Sequence, residues 1–127
     1  MGRRGKNRGV SVGTKLQIKP GSRVVVLGAP EGLDLELPEG VTVGQDAAKA
    51  DAVIAFACDS AAVDAVAGPA IQAARDDRLA WIAYPKAGQL GTDLNRDILA
   101  RLVIERGAQP VRQISIDDIW SALRFRP

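Results

Sequence analysis

Three short, unbroken apolar runs constrain this chain more than any other feature: Val24-Val25-Val26-Leu27, Ala52-Val53-Ile54-Ala55-Phe56-Ala57 and Leu79-Ala80-Trp81-Ile82-Ala83-Tyr84. Each is too short for a helix, and each is apolar at successive rather than alternate positions, the pattern of a strand covered on both faces. Turn residues bound them: Lys19-Pro20-Gly21-Ser22 before the first, Cys58-Asp59-Ser60 after the second and Pro85 after the third. Strands buried in this way are parallel, and parallel strands need long crossovers. Between the second and third runs, Ala61 to Ala74 is rich in alanine, with Val63, Val66 and Ile71 adding bulk, so it predicts a helix packed close to a sheet. Gly68-Pro69 interrupts that helix; either it kinks there, or a second short helix begins with Pro69 in its first turn.

After the third run, Thr92 predicts the cap of a helix with Leu94, Ile98, Leu99, Leu102 and Val103 on one face, Asp93 in its first turn and a stop at Gly107. Asp97 and Arg101, and Arg101 and Glu105, stand four apart on it. Val111 to Ile116 and Trp120 to Phe125 predict two closing strands, joined by Asp117-Asp118-Ile119. A link this short makes a hairpin, so the last strand is antiparallel to its predecessor. Val41-Thr42-Val43 predicts a further short strand, whereas Leu33, Leu35 and Leu37 fit a half-buried extended segment or a short helix equally well. The alternation is that of an α/β domain with an open, mostly parallel, Rossmann-like sheet of about six short strands and an antiparallel C-terminal strand. Its functional surface is expected at the carboxyl ends of the parallel strands, where Gly28-Ala29-Pro30-Glu31-Gly32, Cys58-Asp59-Ser60 and Lys86 stand.

With 127 residues, the chain suits one domain, placed here at residues 16–127. The formal charge of +2 hides an asymmetry, because residues 1–19 hold Arg3, Arg4, Lys6, Arg8, Lys15 and Lys19 and no acid, leaving 11 basic against 15 acidic residues beyond them. Residues 1–15 are Gly-rich and poor in apolar groups, and are expected to form a disordered basic leader. Residues 1–19 offer weak, non-specific contact with nucleic acid; the bland alternative is a solvated leader. No apolar run approaches the roughly 18 residues of a membrane span, and the leader lacks a signal-peptide core, so a cytoplasmic location without membrane contact is expected. The chain has no histidine and one cysteine, which excludes Ser-His-Asp chemistry, the usual zinc sites and an internal disulfide.

Lys19-Pro20-Gly21 before the first strand, Cys58-Asp59 after the second run, Tyr84-Pro85-Lys86 and the closing hairpin resemble a class I methyltransferase core truncated by about one βα unit. The set Ala29-Pro30-Glu31-Gly32, Trp81 to Lys86, Thr92 to Asp97 and Ile116 to Arg126 resembles, more closely, an uncharacterised bacterial domain-of-unknown-function family, over about Leu16 to Pro127. That resemblance implies a methyltransferase-like fold and candidate positions, and brings no activity with it.

A nucleotide cofactor, S-adenosylmethionine being the one the methyltransferase resemblance implies, would need a glycine-rich turn after the first strand. Aligning Gly28 with the first glycine of G-x-G-x-x-G puts Pro30 and Leu33 at the other two positions. Pro30 has no N–H to donate, and Glu31 brings a negative charge to where a phosphate or carboxylate would rest. Asp46, 18 residues after Gly28, stands near the spacing of a ribose-binding acid. No cofactor and no metal are therefore expected, with S-adenosylmethionine at Gly28 and Asp46 as the alternative.

The candidate ligand or partner site comprises Glu31, Lys86, Thr92, Asp93, Arg96, Asp97, Asp117, Asp118, Trp120 and Arg124, with Ser121 of the hairpin beside them. Lys86 at a strand end suits neutralisation of a phosphate or carboxylate, against the alternative of an exposed loop lysine. Thr92 and Asp93 are explained by capping without a ligand. Arg96 and Arg124 are expected to pair with Asp97, Asp117 or Asp118, holding the hairpin onto the helix. Asp117-Asp118 reads as a turn former before a Mg²⁺ site, Cys58 as a small buried residue, and Trp81 and Trp120 as core or interface. The function expected is a non-catalytic binding or regulatory module on a degenerate methyltransferase-like scaffold, serving a protein or small-molecule partner, with homodimerisation compatible. A small enzyme of methyltransferase descent and a nucleic-acid binder through the basic arm are the alternatives.

Overall fold

The computed structural model describes residues 11–127; the expectations for residues 1–10 of the basic leader lie outside the described residues. One sheet of six strands runs in the order β2-β1-β3-β4-β6-β5. Its strands are β1 (Arg23–Leu27), β2 (Thr42–Gly44), β3 (Ala52–Phe56), β4 (Leu79–Pro85), β5 (Gln109–Ser115) and β6 (Trp120–Arg126). The first four pair in parallel, and β6 is antiparallel to both β4 and β5. The fold is α/β and Rossmann-like, as the apolar runs predict. Among the described residues no helix is long and apolar enough to cross a membrane.

The two faces of the sheet are covered differently. Val25, Val53, Ala55, Ile82, Leu123 and Phe125 face the helices α2 (Ser60–Val66), α3 (Gly68–Arg75) and α4 (Arg96–Ile104). The alanines forecast to pack closely, Ala67, Ala70, Ala73 and Ala74, are all buried there. The chain breaks at Ala67, and Pro69 stands in the first turn of α3, which settles the Gly68-Pro69 question in favour of two helices. On the opposite face Val24, Ile54, Trp81, Ala83 and Ala122 are covered by Leu16, Ile18, Leu33, Leu35 and Leu37. The leucine stretch is neither strand nor helix; it crosses as irregular chain with Leu35 buried. Right-handed crossovers explain the division, because the chain moves one way from β1 to β2 and the other way from β3 onward, placing the connections on opposite faces.

Three expectations need correction. Residues 11–15 are not disordered: α1 (Val12–Lys15) is a helical turn capped by Ser11, and its Gly13 is buried against the Glu36 backbone. The turn is held because Val12 N–H donates to Glu36 Oε1 at 2.8 Å and the buried Trp81 Nε1–H donates to Leu16 O at 2.9 Å. Thr92 does not cap α4. Asn95 does, its Oδ1 accepting from Ile98 N at 2.9 Å, while Thr92 Oγ1 accepts from Leu94 N at 3.0 Å in extended chain that drives Leu94 into the core. Cys58 is exposed rather than buried, since it stands in the turn beyond β3. Trp120, by contrast, fills the core as its reading as core or interface allowed: it is 4% exposed and meets Phe56 edge to face, with ring centroids 5.1 Å apart.

A Cβ at Gly13 would land on the Glu36 carbonyl, which is backbone and has no rotamer with which to yield. Gly13→Ala is expected to destabilise the protein by about 1–3 kcal/mol. Gly44→Ala, where a Cβ meets nothing within 4 Å, is expected to stay within about 0.5 kcal/mol of the parent, both variants being read by urea titration.

Candidate functional site

Tyr84 of β4, Ser121 of β6 and Ser115 of β5 form one cross-strand row, because the register pairs Tyr84 with Ser121 and Ser121 with Ser115. The row lies on the helical face, where the neighbouring inward residues of β4 and β6, Ile82 and Leu123, belong to the apolar core. At the carboxyl end of β4 that core gives way to hydroxyls. Above it stands a cavity of about 570 Å³, walled by Lys86 and Ala87 after β4, Asn95 and Arg96 at the start of α4, and Gln113, Ile114 and Ser115 of β5. Its lining contains two cations and no carboxylate.

Each polar group is positioned by an identifiable contact. Lys86 N–H donates to Ile119 O at 2.7 Å, which clamps the end of β4 to the hairpin turn, and its Nζ donates to Ser115 Oγ at 2.8 Å. Gln113 Nε2 donates to the Tyr84 hydroxyl at 3.1 Å. Ser121 is 4% exposed and is the buried polar residue of the described chain. Arg96 is the first residue of α4, so its guanidinium adds to the positive end of the helix. It pairs with the exposed Asp97 at 3.3 Å, a surface contact worth a fraction of a kcal/mol.

The remaining candidates are dispersed. Asp93 is used by Ser60: Oδ1 accepts from Ser60 N at 2.9 Å and Oδ2 from Ser60 Oγ at 2.5 Å, tying the start of α2 to the loop before α4. These bonds hold the Asp93 carboxyl below its ordinary value. Asp117 Oδ1 accepts from Ile119 N and Trp120 N at 2.8 and 2.7 Å, which forms the hairpin turn as expected. Asp118 is an exposed neighbour in that turn. Arg124 does not reach Asp97, Asp117 or Asp118; on the face away from the cavity it donates to Gln17 Oε1 at 2.6 Å. Of the sequence candidates, therefore, the cavity gathers Lys86, Arg96 and Ser121, whereas Glu31 and Asp117 line a separate hollow of about 260 Å³ beside Trp120. No group of three or more metal-type ligands occurs among the described residues.

Sequence reasoning missed Tyr84, Gln113 and Ser115 as site residues. Ser121, a serine at the first inward position of an otherwise apolar strand, was the signal in the sequence, and the β4–β6 register places it beside Tyr84.

The residues after β1 do not fit a nucleotide cofactor. The chain from Gly28 to Val41 contains no helix, so no helix N-terminus faces that bend. Asp46 Oδ1 accepts from Ala48 N at 3.1 Å, capping a turn of 3-10 helix instead of standing free for a ribose. Gly28 has φ +71°, and a Cβ there would meet Phe56 O at 2.9 Å, which accounts for this glycine without a ligand.

No protein-family profile and no curated protein sequence matches the chain. Among solved structures, it is similar to a release-factor-specific protein-(glutamine-N5) methyltransferase from Alicyclobacillus acidocaldarius subsp. acidocaldarius, with 16% identity, a TM-score of 0.35 and 100% of each chain covered.

Two titrations report on these contacts. Tyr84 is the one tyrosine of the chain, and burial raises its pKa above the ordinary 10.0 against the opposing influence of Ser121. Folding therefore favours the protonated phenol; the stabilisation is complete below pH 10.0 and fades as the pH climbs towards the folded value. Absorbance at about 295 nm should show phenolate appearing later in native protein than in urea. For Asp93 the sign is opposite: its contribution is present above its ordinary value of 3.8 and is lost as the pH falls through the depressed folded value. Asp93→Asn should flatten that part of the acid-unfolding profile, measured as urea midpoints against pH.

Proposed function

We propose that the protein is a non-catalytic binding module that takes a small anionic ligand in the cavity between β4, α4 and the β5–β6 hairpin. The observation carrying this reading is the lining itself, in which Lys86 and Arg96 stand over the hydroxyls of Tyr84, Ser115 and Ser121 and the Gln113 amide, with no carboxylate among them. Such a set attracts and orients a negative charge while offering neutral partners to the rest of a ligand. It is poorly equipped for proton transfer. The chain has no histidine, the lining has no acid, and the Lys86 ammonium serves Ser115 as a donor. A cavity of about 570 Å³ lies within the range of small-molecule sites.

The reading is tested by calorimetry with inorganic phosphate, sulfate, citrate and acetate. At least one multivalent anion is expected to bind with an affinity that falls about tenfold or more in Lys86→Ala and in Arg96→Ala, the size of one lost charge-assisted hydrogen bond. S-adenosylmethionine is expected to give no heat. Equal anion affinity in the parent and both variants would refute the assignment of the cavity.

A further inference from the structure

Arg112 of β5 and Arg124 of β6 are register partners, so two arginines stand directly across from one another on one face of the sheet. It is the face away from the cavity: Ala122, two residues before Arg124, belongs to its core, and the Arg124 guanidinium donates to Gln17 Oε1 of the N-terminal cover. Like charges directly opposite in a strand pair destabilise it. The fold gives neither arginine a counter-charge, because the ion pairs among the described residues are made by Arg78, Arg96, Arg106 and Arg126. The Arg124 Nε is moreover buried without an acceptor, a further cost on a charged group. Lys15 adds a cation to the same flank, its Nζ on Ser115 O, three residues along β5 from Arg112 and so about 10 Å away.

Gln17 indicates that the arrangement is held in place. It follows α1 with φ +63°, a left-handed conformation that glycine adopts freely and glutamine does not. The side chain kept at that cost accepts the 2.6 Å bond from Arg124. More cations are tethered to this side by the chain itself, since Arg3, Arg4, Lys6 and Arg8 precede Ser11, the cap of α1, in a stretch without an acid. Beyond residue 19 the chain is net acidic, so the positive charge is concentrated on this flank. A spread row of cations suits a polyanion better than a small ion. All five aromatic side chains, Phe56, Trp81, Tyr84, Trp120 and Phe125, are buried, which leaves none on which an unpaired base could stack. A duplex, with its bases already stacked and its charges denser, fits such a surface better than a single strand. We propose that Lys15, Arg112 and Arg124 form a docking face for the phosphate backbone of a nucleic-acid duplex, bound without regard to sequence and reinforced by the basic leader. The proposal is independent of the cavity and its ligand.

The test is the fluorescence anisotropy of a labelled DNA duplex of about 20 base pairs, titrated with the full chain between about 50 and 200 mM salt. The parent is expected to bind, and to bind more weakly as salt rises. Arg112→Gln should lower affinity about fivefold at about 50 mM salt and reduce the log–log salt slope by about one, and Arg112→Lys should keep the slope. Arg101→Gln, which removes the same charge from α4 on the helical side, should leave both unchanged. Gln17→Gly removes the backbone strain together with the Arg124 contact, so it should weaken duplex binding while the thermal midpoint equals or exceeds that of the parent. Absence of duplex binding overturns the proposal. So does an Arg112→Gln slope equal to the parent's, which would assign binding to the leader alone, or a loss in Arg101→Gln as large as in Arg112→Gln. Tighter binding of a single strand of the same length, or of polyglutamate, overturns the choice of a duplex, and a Gln17→Gly variant of lower midpoint and unchanged affinity makes the Arg124 contact structural and overturns its part in the face.

Discussion

The antiparallel insertion of β6 between β4 and β5 is the constraint on which the rest of the site depends. It obliges the crossover through α4 to pass over an intervening strand, spanning about 10 Å of sheet instead of about 5. Because β6 runs backwards, its beginning lies at the carboxyl ends of its neighbours, pairing Trp120 with Pro85 and Ser121 with Tyr84. The residues that end β4, end β5 and begin β6 are thereby collected at one edge under the start of α4. Lys86 meets Ser115, 29 residues further along the chain, for this reason alone. A parallel β6 would bring its last residues, Phe125 and Arg126, to that edge instead.

The other face of the sheet supplies the second condition. Trp81 is fully buried there, and its indole N–H needs an acceptor that the sheet cannot offer. Leu16 O provides it, with Leu16 and Ile18 filling the surrounding space, so the N-terminal segment is part of the core and not an appendage. Docking that segment fixes Lys15 at the end of β5, where its ammonium reaches Ser115 O. Cover for an indole on one face thus also brings a charge to the end of β5.

The central strands were legible in the sequence because burial on both faces leaves continuous apolar runs, and the closing hairpin was legible because Asp117-Asp118-Ile119 is too short to be anything else. The start of α4 was not. Thr92 and Asn95 are both competent caps, and the choice between them is made by Leu94 entering the core and by Asp93 turning to Ser60, which are tertiary facts. Residues 11–15 misled for a related reason: their composition is that of a solvated tail, and their order comes from Trp81 and Glu36, both remote in sequence. Lys86 and Arg96 could be named from their places at a strand end and a helix start. The polar floor beyond Ser121 could not, since Tyr84 and Gln113 acquire meaning only from the pairing register.

The location of the cavity also departs from what open α/β sheets ordinarily dictate. The topological switch point lies between β1 and β3, where successive connections leave for opposite faces and a crevice normally receives the ligand. Here that crevice is constricted: Gly28 bends the chain against Phe56 O, Pro30 and Glu31 follow, and Leu33 to Leu37 are drawn down onto Ile54 and Trp81 as cover for the sheet. A segment that would have opened a helix towards a phosphate is consumed as packing. The cations are found instead where α4 vaults β6, and it is the distance α4 must span, together with polar residues along the edge below it, that leaves room for a ligand there.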